Sequence, residues 1–257
     1  FSFADVLAKG LLGDAGDDPM EMARMQVLLP TRRACRTLRE AFLRWNDSPI
    51  LLPKLNPIGD VDEDEMVFSM VGEPDELSLP PACPPLRRKF LLAKEIAEQG
   101  RGRNIEQNLA LADALGRLMD QIHTENLDMK DLPHIVDKAE FANHWQISLD
   151  FLTILSERWP RILKERGLID AADRRNKLLN ALADHWEKTR PTHKIIAAGS
   201  TGSIPATARL LNVIARLPNG CVVLPGLDQA MEEESWNHLD DTSAKNLAPS
   251  SWRCVRG

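Results

Sequence analysis

The chain has no tyrosine, and aromatic residues make up only 5% of it. Without a phenol one common nucleophile and proton donor is gone, and with it the Tyr–Lys pair of short-chain reductases. The four cysteines, Cys35, Cys83, Cys221 and Cys254, lie far apart with no C-x-x-C pair. Zinc and iron–sulfur sites are therefore poor readings, and reduced thiols in a cytoplasmic protein are expected. No apolar run approaches the ~20 residues of a membrane helix, so no membrane partner is expected. No signal peptide is visible, and the chain opens on Phe1, which leads to the expectation of a longer parent chain. The phosphate loop G-x-x-x-x-G-K-S/T, H-E-x-x-H and G-x-S-x-G are all missing, and no expected strand ends in a Asp–Glu metal-and-water pair. The six histidines share no ligand spacing. No catalytic residue, metal ligand or cofactor is assigned on this basis. Basic character is lacking too: net charge is -6, so any nucleic-acid site must be a local patch on an acidic body.

What is present is organised around residues 25–45, MQVLLPTRRACRTLREAFLRW. Met25 to Leu29 is a short apolar run that suits a strand buried on both faces. Pro30 stops it, having no N–H for the ladder. Thr31 can cap a following helix. Ala34, Leu38, Ala41, Phe42 and Trp45 recur at steps of three and four and predict one apolar stripe. Arg32, Arg33, Arg36, Arg39 and Arg44 occupy the other faces against a single acid, Glu40. A buried strand feeding a basic helix through a sharp turn is how an open α/β sheet presents a site at the carboxyl end of its strands.

Before this stretch, Phe3, Leu7 and Leu11 predict a helix weakened by Gly10 and ended by Gly13, and residues 13–19 read as a solvated loop. Residues 49–58 carry three prolines and suit an edge strand or extended connection. Residues 59–65 form an acidic run, and 72–85 hold five prolines that divide the chain. Four helical stretches follow with no strand signal. The first, 86–99, carries Phe90, Leu91 and Ala97. The second, 105–123, carries Leu109, Ala112, Leu115, Met119 and Ile122. The third, 140–166, runs from Trp145 through Leu155, Trp159 and Leu163 to a stop at Gly167, and the fourth, 171–188, carries Leu178, Leu179, Leu182 and Trp186. Residues 194–198, 206–216 and 221–224 then read as strand, helix and strand, a βαβ unit with a parallel right-handed crossover. The expected architecture is an α/β parallel sheet (1–84 and 191–239) interrupted by a large all-helical insertion (85–190), with an irregular tail (240–257).

Two stretches can carry chemistry. The arginine cluster can bind phosphates by charge-assisted, often bidentate, hydrogen bonds, helped at Arg32 and Arg33 by helix amides. It can equally be a solvated face paired with the acids at 60–65. The turn GSTGSIPAT, residues 199–207, follows a strand and opens a helix. Gly199, Ser200, Thr201 and Gly202 offer bends, hydroxyls and amides for a phosphate, or simply a capped connection with Pro205 in the first helical turn. Asp60, Asp62, Glu63, Asp64 and Glu65 could hold a cation but read better as a solvated loop. The tryptophans at 145, 159 and 186 fall on apolar stripes and are expected in the core.

In combination, LLPTRRACRTLREAFLRW, LLPKLNPIGDVDEDE, PPLRRKFLLAKEIA, HWQISLDFLTILSERWPRIL, GLIDAADRRNKLL and IIAAGSTGSIPATARLL resemble the amino-terminal part of the AddB subunit family. These subunits belong to AddAB-type double-strand-break repair helicase–nucleases, and the resemblance is to the alphaproteobacterial form. It runs from near residue 1 to about residue 236. It implies a superfamily 1 helicase-like, RecA-like domain (a P-loop-NTPase-like sheet) that contacts single-stranded DNA and pairs with an AddA-type helicase–nuclease subunit. It also implies that PTRRACRTLRE stands at the helicase segment called motif Ia, with Thr31, Arg32 and Arg33 as phosphate contacts and Arg36 beside them. Gly199, Ser200 and Thr201 would face the same side. The family's ATP site in this branch is degenerate, and no Walker lysine is visible here. Its nuclease domain and iron–sulfur cysteines belong far downstream, so the four cysteines present are not their counterparts. The tail NLAPSSWRCVRG does not match the family. Two other readings stay open: a Rossmann-like enzyme with Gly199–Gly202 as its dinucleotide loop and Asp228 as the ribose acid, and a structural interaction module that never touches DNA.

Overall fold

Short apolar runs alternating with amphipathic stretches give, in the computed structural model, an α/β architecture. Its elements are α1 (Phe3–Ala15), α2 (Pro19–Arg24), β1 (Gln26–Leu29), α3 (Arg32–Trp45), β2 (Lys54–Pro57), α4 (Pro85–Glu98) and α5 (Ile105–Thr124). A π-helical turn (Ile154–Arg158) precedes α6 (Trp159–Glu165), α7 (Ala171–Thr189), β3 (Ile195–Ala198), α8 (Pro205–Arg216) and β4 (Gly220–Val223). The structure describes residues 2–16, 18–45, 49–59, 79–100, 102, 104–127 and 154–226. The acidic run 60–65, Trp145, Asp228 and the tail from 240 lie outside the described residues. The chain divides into two compact units, Phe1–Glu76 with Leu179–Gly257, and Leu77–Leu178. Among the described residues no helix is long and apolar enough to cross a membrane.

The first unit holds a four-stranded sheet in the order β2-β1-β3-β4, parallel throughout. β1 is buried at all four positions, as is β3. Val27 sits opposite Ile196, so two runs far apart in sequence are neighbours in one sheet. The edge strand expected within 49–58 is β2, whose Pro57 pairs with Leu29 at the end of the ladder. Alternation along the strands sends side chains to two cores. On one face Val27, Leu29, Ile196 and Ala198 pack with Leu7 and Leu11 of α1, Met22 of α2, and Leu38 and Phe42 of α3. On the other, Leu28, Ile195, Ala197 and Val222 pack with Leu182 and Trp186 of α7 and Leu210, Leu211 and Ile214 of α8. So α3 and α8 cover opposite faces. The crossover from β1 steps one way along the sheet and that from β3 steps the other.

Several local expectations are corrected here. α1 continues through Gly10 and Gly13 to Ala15 and stops at Gly16, with φ 60°. Burial of Leu7, Ala8 and Leu11 outweighs the ~1 kcal/mol that each helical glycine costs. Residues 13–19 are thus not one loop: Asp18 caps α2 by accepting from Met20 N at 2.9 Å, with Pro19 in the first turn. On α3 the buried stripe is Cys35, Leu38, Ala41 and Phe42. Trp45 remains 38% exposed, with Lys9 Nζ 5.6 Å from its ring.

The described part of the second unit is mainly helical. α5 buries Ala112, Leu115, Met119 and Ile122 as expected, but α4 turns Leu92, Ala93 and Ile96 inward and leaves Phe90 54% exposed. Two overlapping stripes were available on α4, and only packing against α5 selects one. Of the helix expected over 140–166, residues 140–153 lie outside the described residues; from Ile154 a π turn leads into α6, whose second residue, Pro160, has no N–H to donate to the turn before it. Gly167, with φ 61°, ends α6, and Leu168 N bonds Leu163 O. The stretch is not wholly helical: Ala82 bridges Ile169 in parallel, with Cys83 N donating to Ile169 O at 2.8 Å. Ala82 of the proline-rich segment thus finds a strand-like partner before Pro85 opens α4.

Candidate nucleic-acid interface

Because the crossovers leave β1 and β3 in opposite directions, the turns after these two neighbouring strands part at the sheet's carboxyl end. Such a reversal point opens a crevice in parallel α/β sheets. After β1, Thr31 Oγ1 accepts from Ala34 N at 3.1 Å and caps α3. Arg32 and Arg33 follow, both exposed. After β3, Gly199 takes φ +78° while its N–H donates to Val223 O at 2.9 Å. A methyl group on Gly199 would lie 3.3 Å from Phe3 Cε1 and 3.6 Å from Pro30 Cδ. The turn after β3 therefore comes close to Pro30, the residue just before Thr31, and to Phe3 of α1.

Gly199 is needed twice over, for its left-handed backbone and for this close approach. Ser200 Oγ accepts from Gly202 N at 3.4 Å, so that hydroxyl is used within the turn, whereas Thr201 and Ser203 are exposed. α8 begins at Ile204 and Pro205 with no side-chain cap, which leaves the amides of its first turn for an outside acceptor. A third turn closes the floor: Gly59 N donates to Pro30 O at 3.0 Å. A Cβ at Gly59 would stand 2.4 Å from that oxygen, with backbone on both sides of the clash. Gly59→Ala is expected to cost about 1–3 kcal/mol in urea unfolding. An unchanged midpoint would mean that this rim relaxes freely.

The arginine cluster divides by partner. Arg36 Nε lies 3.1 Å from Glu40 Oε1 one turn along α3, an exposed pair of small value. Arg44 Nη2 lies 2.5 Å from Asp5 Oδ1. The hydrogen bonds from Ser2 and Arg44 hold the Asp5 carboxyl well below the usual carboxylate range. Arg44 is thus committed to Asp5. Arg33 and Arg39 are exposed, and neither guanidinium has an ion pair among the described residues. Beneath them Cys35 is buried, and burial pushes its thiol up, so it stays protonated. Of the seven candidate residues, Thr31, Arg32, Arg33, Gly199, Ser200 and Thr201 belong to the two adjoining turns. Arg36 lies a turn further along α3.

Sequence reasoning missed two features. One is Phe3 at the crevice, for which the only signal was an apolar residue at a helix start. The other is a polar hub in the second unit around Asp170, which is 2% exposed. Trp159 Nε1 donates to Asp170 Oδ2 at 2.8 Å. Arg88 Nε stands 3.0 Å from Oδ1 as an ion pair, and His123 Nε2 is 3.4 Å from Oδ2. Arg88 Nη1 also donates to Asp120 at 2.7 Å, and Asn176 Nδ2 donates to His123 O at 2.5 Å. Burial raises the Asp170 pKa, but His123, Arg88 and Trp159 together outweigh it and hold the carboxylate ionised. A cleft of about 650 Å³ lies beside this hub, walled by Trp159, Leu163 and Leu168. Among the described residues no group of three or more His, Cys, Asp or Glu side chains could hold a metal ion.

The described residues here can therefore offer a phosphate exposed guanidinium, helix amides and hydroxyls, while Asp5 and Glu40 are paired with Arg44 and Arg36. Compared with known proteins, the chain matches no protein-family model and no curated protein.

Proposed function

We propose that this chain is the amino-terminal, ATPase-inactive helicase-like region of an AddB-type subunit of a DNA double-strand-break repair helicase–nuclease. On this reading its sheet is RecA-like, the segment 85–190 is a large helical insertion, and the crevice holds the backbone of single-stranded DNA. An AddA-type partner subunit in the cytoplasm hydrolyses ATP. The observation that carries the reading is the close approach of Gly199 to Pro30, the residue just before Thr31, at the point where the crossovers diverge. The charges fit: Arg33 is exposed at the start of α3, and the first turn of α8 has no side-chain cap.

The test is fluorescence anisotropy with a labelled single-stranded oligonucleotide across a salt series. The parent is expected to bind weakly, with log K falling linearly as log salt rises, because counterions are released. The double variant Arg32→Ala/Arg33→Ala removes two phosphate contacts and is expected to flatten that slope by about 1.4. If the double variant binds as well as the parent at low salt, the DNA contact lies elsewhere.

A further inference from the structure

Phe3 is the one large apolar side chain of the α1 stripe that is not buried: Leu7 and Leu11 are 8% and 4% exposed, and Phe3 is 41% exposed. The rest of its ring is spent on the crevice. Its Cε1 and Cζ atoms lie 3.3 and 3.8 Å from the Cβ position of Gly199, and Pro30 Cδ is 3.6 Å from that same point. One edge of the ring thus rests on the meeting place of the two turns, while the remainder faces solvent. Phenylalanine has no polar tip to justify exposure. A half-bare ring beside the Gly199 turn, with Pro30 leading into the basic start of α3, matches the anatomy of single-strand binders, which combine cations for the backbone with aromatic faces for the bases. The described acid nearest this ring along the chain is already held by donors. Asp5, the acid nearest Phe3 in sequence, accepts from Ser2 Oγ at 2.7 Å and from Arg44.

We propose that Phe3 is a base-stacking residue, so that the crevice takes single-stranded DNA with phosphates on the Arg33 and Gly199 turns and one base against the Phe3 ring. This rests on the backbone-binding reading above and adds a contact to the bases. Stacking needs only a π face, so the site binds without sequence preference. In a duplex both faces of each internal base are stacked on neighbouring pairs, so duplex is discriminated against.

The experiment compares two strands of equal length, oligothymidylate and an abasic sugar–phosphate strand, on the parent and on Phe3→Leu, Phe3→Trp and Arg33→Ala. Leucine keeps an apolar side chain against Gly199 but removes the aromatic face. The parent is expected to prefer the base-bearing strand. Phe3→Leu is expected to lose about 5- to 150-fold on that strand alone and to bind the abasic strand like the parent. Phe3→Trp is expected to keep the preference, and Arg33→Ala to weaken both strands alike. Phe3→Leu binding oligothymidylate as tightly as the parent would overturn the stacking role; the backbone reading would still stand if Arg33→Ala weakened both strands. A parent that bound neither strand would overturn both.

Discussion

Asp170→Ala is expected to loosen the helical unit by about 3–5 kcal/mol, the usual effect of removing one partner from a buried ion pair. The acid is shared by side chains from three segments: Arg88 on α4, His123 on α5 and Trp159 on α6. Without it the Arg88 side chain, only 13% exposed, keeps Asp120 but loses its inner counter-charge, and the indole N–H of Trp159 is orphaned. Hydrogen exchange followed by mass spectrometry is the suitable readout, with protection falling in α4, α5 and α6 together. Asp170→Asn, which can still accept from Trp159, is expected to lose less. The pH dependence follows from the same contacts. The folded carboxyl titrates below its ordinary value, so its contribution is complete above the ordinary carboxylate pKa of 3.8 and is lost as pH falls through the lower folded value. Protection in these helices should therefore persist at pH 5 and disappear only in stronger acid. Undiminished protection in Asp170→Ala would show that the hub does not hold the unit together.

Phe42→Ala is expected to cost the sheet unit a similar amount, about 3–5 kcal/mol. Phe42 is 0% exposed and packs α3 onto the sheet face formed by Val27, Leu29, Ile196 and Ala198. The cavity would free the helix that carries Arg32 and Arg33, so stability and oligonucleotide binding should fall together. Arg33→Ala, an exposed change, should leave the urea midpoint within about 0.5 kcal/mol of the parent while weakening binding. Phe42→Ala with binding intact would mean that the crevice does not depend on how α3 is seated.

Much of this architecture follows from patterns a few residues long. The runs 27–29 and 195–198 lie in strands because a short aliphatic run bounded by Pro30 or Gly199 has no better way to be buried. The stripe on α5 is a clean 3.6-residue repeat, and it is the stripe that is buried. α4 shows the limit. Its sequence offers apolar residues on more than one face, and the choice of Leu92, Ala93 and Ile96 over Phe90 depends on what α5 presents. In α1 the two glycines argued for a stop that burial of Leu7 and Leu11 overrides. At the candidate site Thr31, Arg33 and Gly199 were each legible from local turn chemistry, since capping, charge and positive φ are local requirements.

Local sequence alone, then, determined the strands, most helices and the basic turn at the start of α3, because periodicity and turn geometry act over one or two turns of chain. The tertiary structure decided that Pro30 and Gly199 meet, that Phe3 joins them, that Arg44 is drawn off to Asp5, and that Arg88, His123 and Trp159 converge on Asp170. Those meetings join residues from 11 to nearly two hundred positions apart. They follow from which hydrophobic faces must be buried together, and the polar groups are carried to their partners by that packing.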